Sequence, residues 1–256
     1  RHQKIIEEAP SSCLDQDTRF KMGSQAVKLA REVQYYSAGT VEFVVNPNKE
    51  FYFLEMNTRL QVEHPVTETI TNIDLVEQMI DIADNKKLKF KQDEIVVKGW
   101  SFESRLCGES PIKNFLPSAG RIKELSFPEE NIRIDSGYQS GGEVSIYYDS
   151  LLAKIISKGN NRQDAINVMQ KALQEVCIDG VDTNIDFLMD IFKNKNFING
   201  DINTNFIEEV YKGGYKAETS NKNELEIITI FAFCYHISYL VSVNNDIENI
   251  SKEWVL

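Results

Sequence analysis

The sequence predicts an α+β fold with mixed antiparallel sheets and flanking helices. Three observations lead there: apolar residues at helical spacing from Leu14 to Tyr36 and from Arg162 to Cys177, β-branched and aromatic runs around a turn cluster at residues 46–49, and a β-rich stretch from about Ile95. The first helix carries Phe20, Ala26, Val27, Ala30 and Val33, with Asp15 and Asp17 placed as cap and first-turn acid. After Ser37-Ala38-Gly39, the runs TVEFVV and EFYFLEMN flank Asn46-Pro47-Asn48-Lys49 and read as a β-hairpin. Helical periodicity returns from Asp74 to Asp84 through Leu75, Met79, Ile82 and Ala83. VVKGWSFESRL, GRIKEL and IRIDSG read as strands; Ala165, Val168, Met169 and Leu173 then share one face of the helix ending at Cys177. Shorter helices are expected near Asn184 to Phe192 and Asn203 to Tyr211.

A polar stretch, Lys212 to Glu224, separates this body from the apolar run Leu225 to Val243. Spanning a bilayer takes roughly 20 predominantly apolar residues, and this run contains Glu226, Thr229, His236, Ser238 and Ser242. A buried helix is the preferred reading, and no membrane partner is expected. With 28 Lys+Arg against 39 Asp+Glu, the net charge of −11 opposes phosphodiester backbones, so no nucleic-acid partner is expected either. Cys13, Cys107, Cys177 and Cys234 are scattered without a CxxC, which argues against a disulfide framework or zinc site and for a reducing compartment. The opening RHQKIIEEAP lacks an initiating Met and the pattern of a signal peptide, and reads as the interior of a longer protein.

Chemistry enters at the hairpin. A two-residue turn at Asn48-Lys49 would pair residues whose numbers sum to 97 and set Glu42 against Glu55. Like charges directly opposite on a sheet repel, and a cation between them resolves the conflict. Alternation places Asn57 on the face of Glu55, giving two carboxylates and an amide oxygen, a hard set suited to Mg²⁺ or Mn²⁺ with positions left open for substrate. The competing reading is a pair of glutamates facing solvent on an edge strand. Beyond Asn57, Arg59, Gln61 and Glu63 alternate with Leu60 and Val62 and collect on one face. Arg59 offers a planar fork to a small oxyanion, Gln61 can orient it and Glu63 can take its proton; an ordinary solvated strand has the same spacing. His64, before Pro65, reads as a structural loop residue rather than a base.

The string EFYFLEMNTRLQVEHPVTE, with RHQKIIEEAP before it and AGTVEF, SFESR, IYYDSLLAKII and GDINTNFIEEVY elsewhere, resembles the biotin carboxylase family. Within it the chain is most similar to the branch found in acyl-CoA carboxylase α subunits, with propionyl-CoA as the implied acceptor. The resemblance implies the C-terminal part of an ATP-grasp domain over 1–90, a biotin carboxylase C-terminal domain over 91–215, and over 216–256 a linker and the first helix of a further domain. It implies ATP with Mg²⁺ or Mn²⁺, and biotin on a carrier outside this chain. Glu42, Glu55 and Asn57 match metal ligands; His2, Glu42, Glu55, Val44 and Phe206 match nucleotide contacts, with a core role the alternative for Val44 and Phe206. Arg59, Gln61, Val62 and Lys4 match the bicarbonate pocket, Glu63 the general base, and Arg105 the residue that binds bicarbonate and stabilises the biotin enolate. From the residues alone, Glu103 and Arg105 are same-face neighbours that would form a simple ion pair. Cys107 and Ser110 depart from the family pattern in the loop that supports Arg105.

The implied partners are an N-terminal biotin carboxylase portion, a biotin carrier domain, a carboxyltransferase β subunit and a second copy of the chain, in the bacterial cytoplasm or the mitochondrial matrix. These 256 residues contain no glycine-rich phosphate loop, so a second expectation stands beside the enzyme: a catalytically silent fragment that serves as an assembly or complementation partner.

Overall fold

The computed structural model describes residues 4–217, 223 and 225–238. His2, the candidate nucleotide contact, lies outside the described residues, as does the end of the apolar run. Residues up to Tyr215 form one compact unit and Lys216 onward a second, in which residues 225–238 are helical. Among the described residues no helix is long and apolar enough to cross a membrane.

The first unit runs β1 (Ile6–Ala9), α1 (Gln16–Glu32), β2 (Thr40–Val45), β3 (Phe51–Asn57), α2 (His64–Thr71), α3 (Leu75–Ala83), β4 (Trp100–Cys107), β5 (Glu109–Ser110), β6 (Leu116–Pro117), β7 (Gly120–Arg121), β8 (Glu124–Ser126), β9 (Ile132–Ser136), β10 (Glu143–Val144), β11 (Leu151–Gly159), α4 (Arg162–Glu175), β12 (Cys177–Asp179), α5 (Ile185–Lys193), α6 (Lys195–Asn199) and α7 (Phe206–Val210). Asp15 caps α1 as its spacing predicts, accepting a hydrogen bond from Thr18 N–H at 2.8 Å. The apolar face of α1 stays open, with Phe20 74% exposed.

The principal sheet is antiparallel, in the order β1-β4-β11-β9. Its apolar face carries Phe102 and Leu106 from β4 and Ile155 from β11, all fully buried against Ala165, Ile166, Met169 and Leu173 of α4 and Phe187 and Leu188 of α5. The 165, 166, 169, 173 spacing is the single stripe a helix needs to lie on a sheet. Strand β4 begins at Trp100, not near Ile95, because Gly99 makes the entry. Its φ is +74°, and a Cβ there would run into the carbonyl oxygen of Gly159 at the end of β11.

Arg162, at the start of α4, fastens β1 into this sheet. Its Nε lies 2.7 Å from Glu8 Oε1, its other nitrogens reach the Phe197 and Ile198 carbonyls, and its guanidinium sits over the Phe102 and Phe197 rings. Trp100 Nε1 donates to the same Glu8 oxygen at 2.8 Å.

Candidate active site

Glu42 does face Glu55, but by a different route from the one the turn arithmetic predicts. The turn holds three residues: Asn46 N–H donates to the Glu50 carbonyl, Lys49 N–H donates to the Asn46 carbonyl, and Lys49 takes φ +64°. Asn46 favours this turn because its side-chain oxygen accepts from Glu50 N–H at 2.9 Å. The register therefore slips by one, pairing Phe43 with Phe53, and a bulge that takes up Leu54 restores it at Glu42.

Donors gather where the two carboxylates meet. Glu42 Oε1 accepts from Gln61 Nε2 at 2.6 Å, Lys4 Nζ at 3.0 Å and Asn57 Nδ2 at 3.1 Å, and Asn57 Nδ2 lies 3.3 Å from Glu55 Oε1. The hydrogen bond from Gln61, then that from Lys4, holds the Glu42 carboxyl below its ordinary range, so it is ionised at neutral pH. Turning the Asn57 amide over would present its oxygen instead, completing a two-carboxylate, one-amide set that fits a hard divalent cation. Among the described residues no cluster of three or more His, Cys, Asp or Glu could enclose a metal ion. Glu42, Glu55 and Asn57 therefore form an open set and not a closed cage.

Residues 58–63 are not the alternating strand their pattern suggests. They form a loop and turn that lead into α2, a helix the sequence reading did not include; Pro65 in its first turn was the available signal. His64 opens α2, with Nδ1 2.8 Å from the Gln61 carbonyl, in keeping with a structural role. The polar residues converge all the same. Gln61 is buried on Glu42, and Glu63 sits between Lys4 Nζ at 3.6 Å and Arg105 Nη2 at 2.9 Å. Arg59 is exposed and spends one nitrogen on the Leu60 carbonyl at 3.2 Å, leaving the rest of its fork toward solvent.

The other face of the principal sheet holds this segment in place. Strand pairing lines up Glu7, Glu103, Ile156 and Arg133 in one row and Arg105, Lys154 and Asp135 in the next. Three adjacent strands each send one cation to the 62–68 segment: Arg105 of β4 to Glu63, Lys154 of β11 to the Val62 carbonyl at 3.0 Å, and Arg133 of β9 to buried Glu68 at 2.7 Å. Arg105 does not pair with Glu103, as same-face spacing suggests. Its Nη2 lies between Glu63 and Glu7, the latter 2.5 Å away. Support for the Arg105 strand comes from Asn184, whose side chain accepts from Cys107 N–H at 2.8 Å and donates to the Arg105 carbonyl at 2.9 Å. It takes up the edge of β4 that faces β1, just past the point where Arg105 N–H donates to the Ile5 carbonyl. Cys107 and Ser110 take no part in that clamp through their side chains.

Known proteins match the chain in sequence and in fold. Residues 103–209 fit the family described as biotin carboxylase C-terminal domain, and residues 1–91 the family described as carbamoyl-phosphate synthase L chain, ATP binding domain. The mitochondrial propionyl-CoA carboxylase alpha chain of Caenorhabditis elegans is 47% identical over 247 residues, covering 95% of this chain and 34% of that protein. Its Homo sapiens counterpart is 46% identical over 252 residues, 97% of this chain and 35% of that protein. The biotin carboxylase domain dimer of Hydrogenobacter thermophilus 2-oxoglutarate carboxylase, solved with MgADP, ADP and bicarbonate, superposes with a TM-score of 0.79 at 43% identity, covering 81% of this chain and 46% of that one.

The chain belongs to the biotin carboxylase family. It spans about a third of the length of the curated relatives it matches. Two candidate positions in this biotin carboxylase chain stand apart from the cluster: Phe206 is buried in the main core near Phe197, and Val44 is half exposed on the hairpin, so the core alternative describes Phe206 and not Val44.

Glu7, which sequence reasoning passed over, and Glu103, which it paired with Arg105, sit side by side on the sheet face that holds the 62–68 segment. Burial, against the pull of Arg105, pushes Glu7 up to about 7, and burial with the neighbouring Glu7 pushes Glu103 up to about 8. Between the ordinary carboxylate range near 4.5 and these values, the folded chain keeps protons that the unfolded chain has released, so these two groups make stability fall as pH rises through that window. Denaturant midpoints measured across it are expected to decline with pH less steeply in Glu103→Gln than in the parent. Equal slopes would mean that Glu103 is an ordinary ionised carboxylate.

Proposed function

We propose that this chain is the C-terminal part of a biotin carboxylase, which carboxylates carrier-bound biotin with bicarbonate and ATP through carboxyphosphate, within an acyl-CoA carboxylase α subunit whose acceptor is propionyl-CoA. The observation that carries the reading is the placing of Glu63 between Lys4 and Arg105, one hydrogen-bonded step from the Glu42–Glu55 pair. Glu42, Glu55 and Asn57 would hold the divalent ion, which when bound neutralises charge on the nucleotide phosphates. Arg59, Lys4, Gln61 and the Val62 backbone bind and orient bicarbonate, and Glu63 takes its proton as it attacks the terminal phosphate of ATP. Arg105, whose Nε is buried without a hydrogen-bond partner among the described residues, keeps a donor for the biotin enolate oxygen.

The exposed apolar side chains of α1 and the hairpin, Phe20, Tyr52 and Leu54 among them, suit the N-terminal biotin carboxylase portion as partner. The carrier domain, the carboxyltransferase β subunit and a second copy complete the proposed assembly, placed in the mitochondrial matrix or the bacterial cytoplasm. The test is bicarbonate-dependent ATP hydrolysis with free biotin, run on this chain alone and with the N-terminal portion added as a separate polypeptide. Turnover on mixing supports the enzyme. Silence from pieces shown to associate supports an assembly partner without catalysis. In the active mixture, Glu55→Gln is expected to raise the Mg²⁺ concentration for half-maximal rate by about tenfold, the scale of losing one charged ligand. An unchanged requirement would return the hairpin acids to a solvent-facing role.

A further inference from the structure

Among the described residues, Glu103 is a buried carboxyl group with no role in the chemistry above and no hydrogen bond to compensate its burial. It is fully buried, and neither of its oxygens has a hydrogen-bond partner among the described residues. It sits in the middle of the charged sheet face, directly opposite Glu7 on one side and Ile156 on the other. The cations around it are committed elsewhere: Arg105 to Glu7 and Glu63, Lys154 to Asp135 and the Val62 carbonyl, Lys4 to Glu42 and Glu63. A carboxylate left in that position would be a buried charge without a counter-ion, which proteins avoid by protonation or by drawing in a neighbouring cation.

Resting on the biotin carboxylase reading, we propose that Glu103 is a positioning residue held in its neutral acid form, and that its neutrality leaves Arg105 free to pair with Glu63 and Lys154 free to hold the Val62 carbonyl. The two cations that brace the base loop are also the two nearest basic groups on its own strand and the next. Loss of the Glu103 proton would set it in competition for both. Arg105 would turn from Glu63 toward Glu103, Lys154 would give up the Val62 carbonyl, and Glu63 would lose its orientation toward bicarbonate. Glu7 and Glu63, the other acids facing Glu103, work in the opposite direction, since their charge discourages a further ionisation.

The experiment has two parts with separate readouts. Carbon-13 NMR of glutamate-labelled chain, with Glu103→Gln for assignment, follows the carboxyl directly and needs no activity. The expected result is a Glu103 resonance in the protonated position at neutral pH that moves only on the alkaline side. A resonance already in the ionised position at neutral pH overturns the proposal and leaves the biotin carboxylase reading intact. In the mixture with the N-terminal portion, Glu103→Gln, which keeps shape and neutrality, is expected to flatten the alkaline decline of kcat while KM for ATP stays within about twofold, since proton-linked positioning acts on kcat. An alkaline decline identical to that of the parent also overturns it. If the mixture shows no ATP cleavage at all, the functional reading fails and the NMR titration still decides the state of Glu103.

Discussion

Replacing Glu63 by glutamine in the mixture with the N-terminal portion is expected to cut biotin-dependent ATP cleavage about 100- to 10,000-fold, the usual worth of a positioned general base. The substitution isolates proton transfer. A glutamine oxygen can still accept from Arg105 Nη2, now 2.9 Å from Glu63 Oε2, and the Lys154 bond to the Val62 carbonyl does not involve the side chain. The loop should therefore hold its shape while losing the group that removes the bicarbonate proton. Arg59→Ala is expected to remove comparable activity by a different route, since its exposed fork is needed to seat the anion and not to build the fold. Thermal midpoints of both variants should match the parent. Rates within threefold of the parent, at about the precision of such comparisons, would rule out these two roles.

The largest effect on stability is expected from Arg162→Ala, at about 3–5 kcal/mol, because it leaves a largely buried Glu8 with its main counter-ion gone. The loss is compound. Two carbonyls of α6, at Phe197 and Ile198, lose their donor, and the Phe102 and Phe197 rings lose the cation stacked over them. Trp100 Nε1 keeps its bond to Glu8 and cannot neutralise it. Urea unfolding of the parent and of the Arg162→Ala and Arg162→Ala/Glu8→Gln variants measures this, the double variant recovering part of the loss by removing the stranded charge. A single-variant change below about 1 kcal/mol would place this pair with ordinary surface ion pairs.

Much of this was legible in the chain itself. The β2–β3 hairpin, α1, α3, α4 and α5 follow from residue periodicity, and the pairing of Glu42 with Glu55 was reached from spacing, although two one-residue irregularities had to cancel for it to be right. Neither the Asn46 turn nor the Leu54 bulge leaves a mark in hydrophobic alternation. Helix α2 was hidden because Arg59 to Glu63 alternates polar and apolar like a strand, and His64 before Pro65 then looks like a loop. Glu7 was missed, and Glu103 was paired with Arg105, for a related reason. Alternating acids on a strand normally mark its solvated side, and only the docking of α2 and its loop turns that side inward. Asn184 entered only as the expected start of a helix, whereas its side chain serves a strand about eighty residues earlier.

Strand β1 has one further consequence. It falls within residues 1–91, matched by the ATP-binding family, yet it is hydrogen-bonded along its length to β4, most of which falls in residues 103–209, matched by the C-terminal family. The boundary between the families is therefore a seam in sequence and not in mechanics. A cut in the connection between α3 and β4 would sever the chain and still leave both pieces clasped through a shared sheet, the Glu8–Arg162 latch and the cations that grip the α2 segment. Whatever moves residues 62–68 in this protein must carry the C-terminal sheet with it.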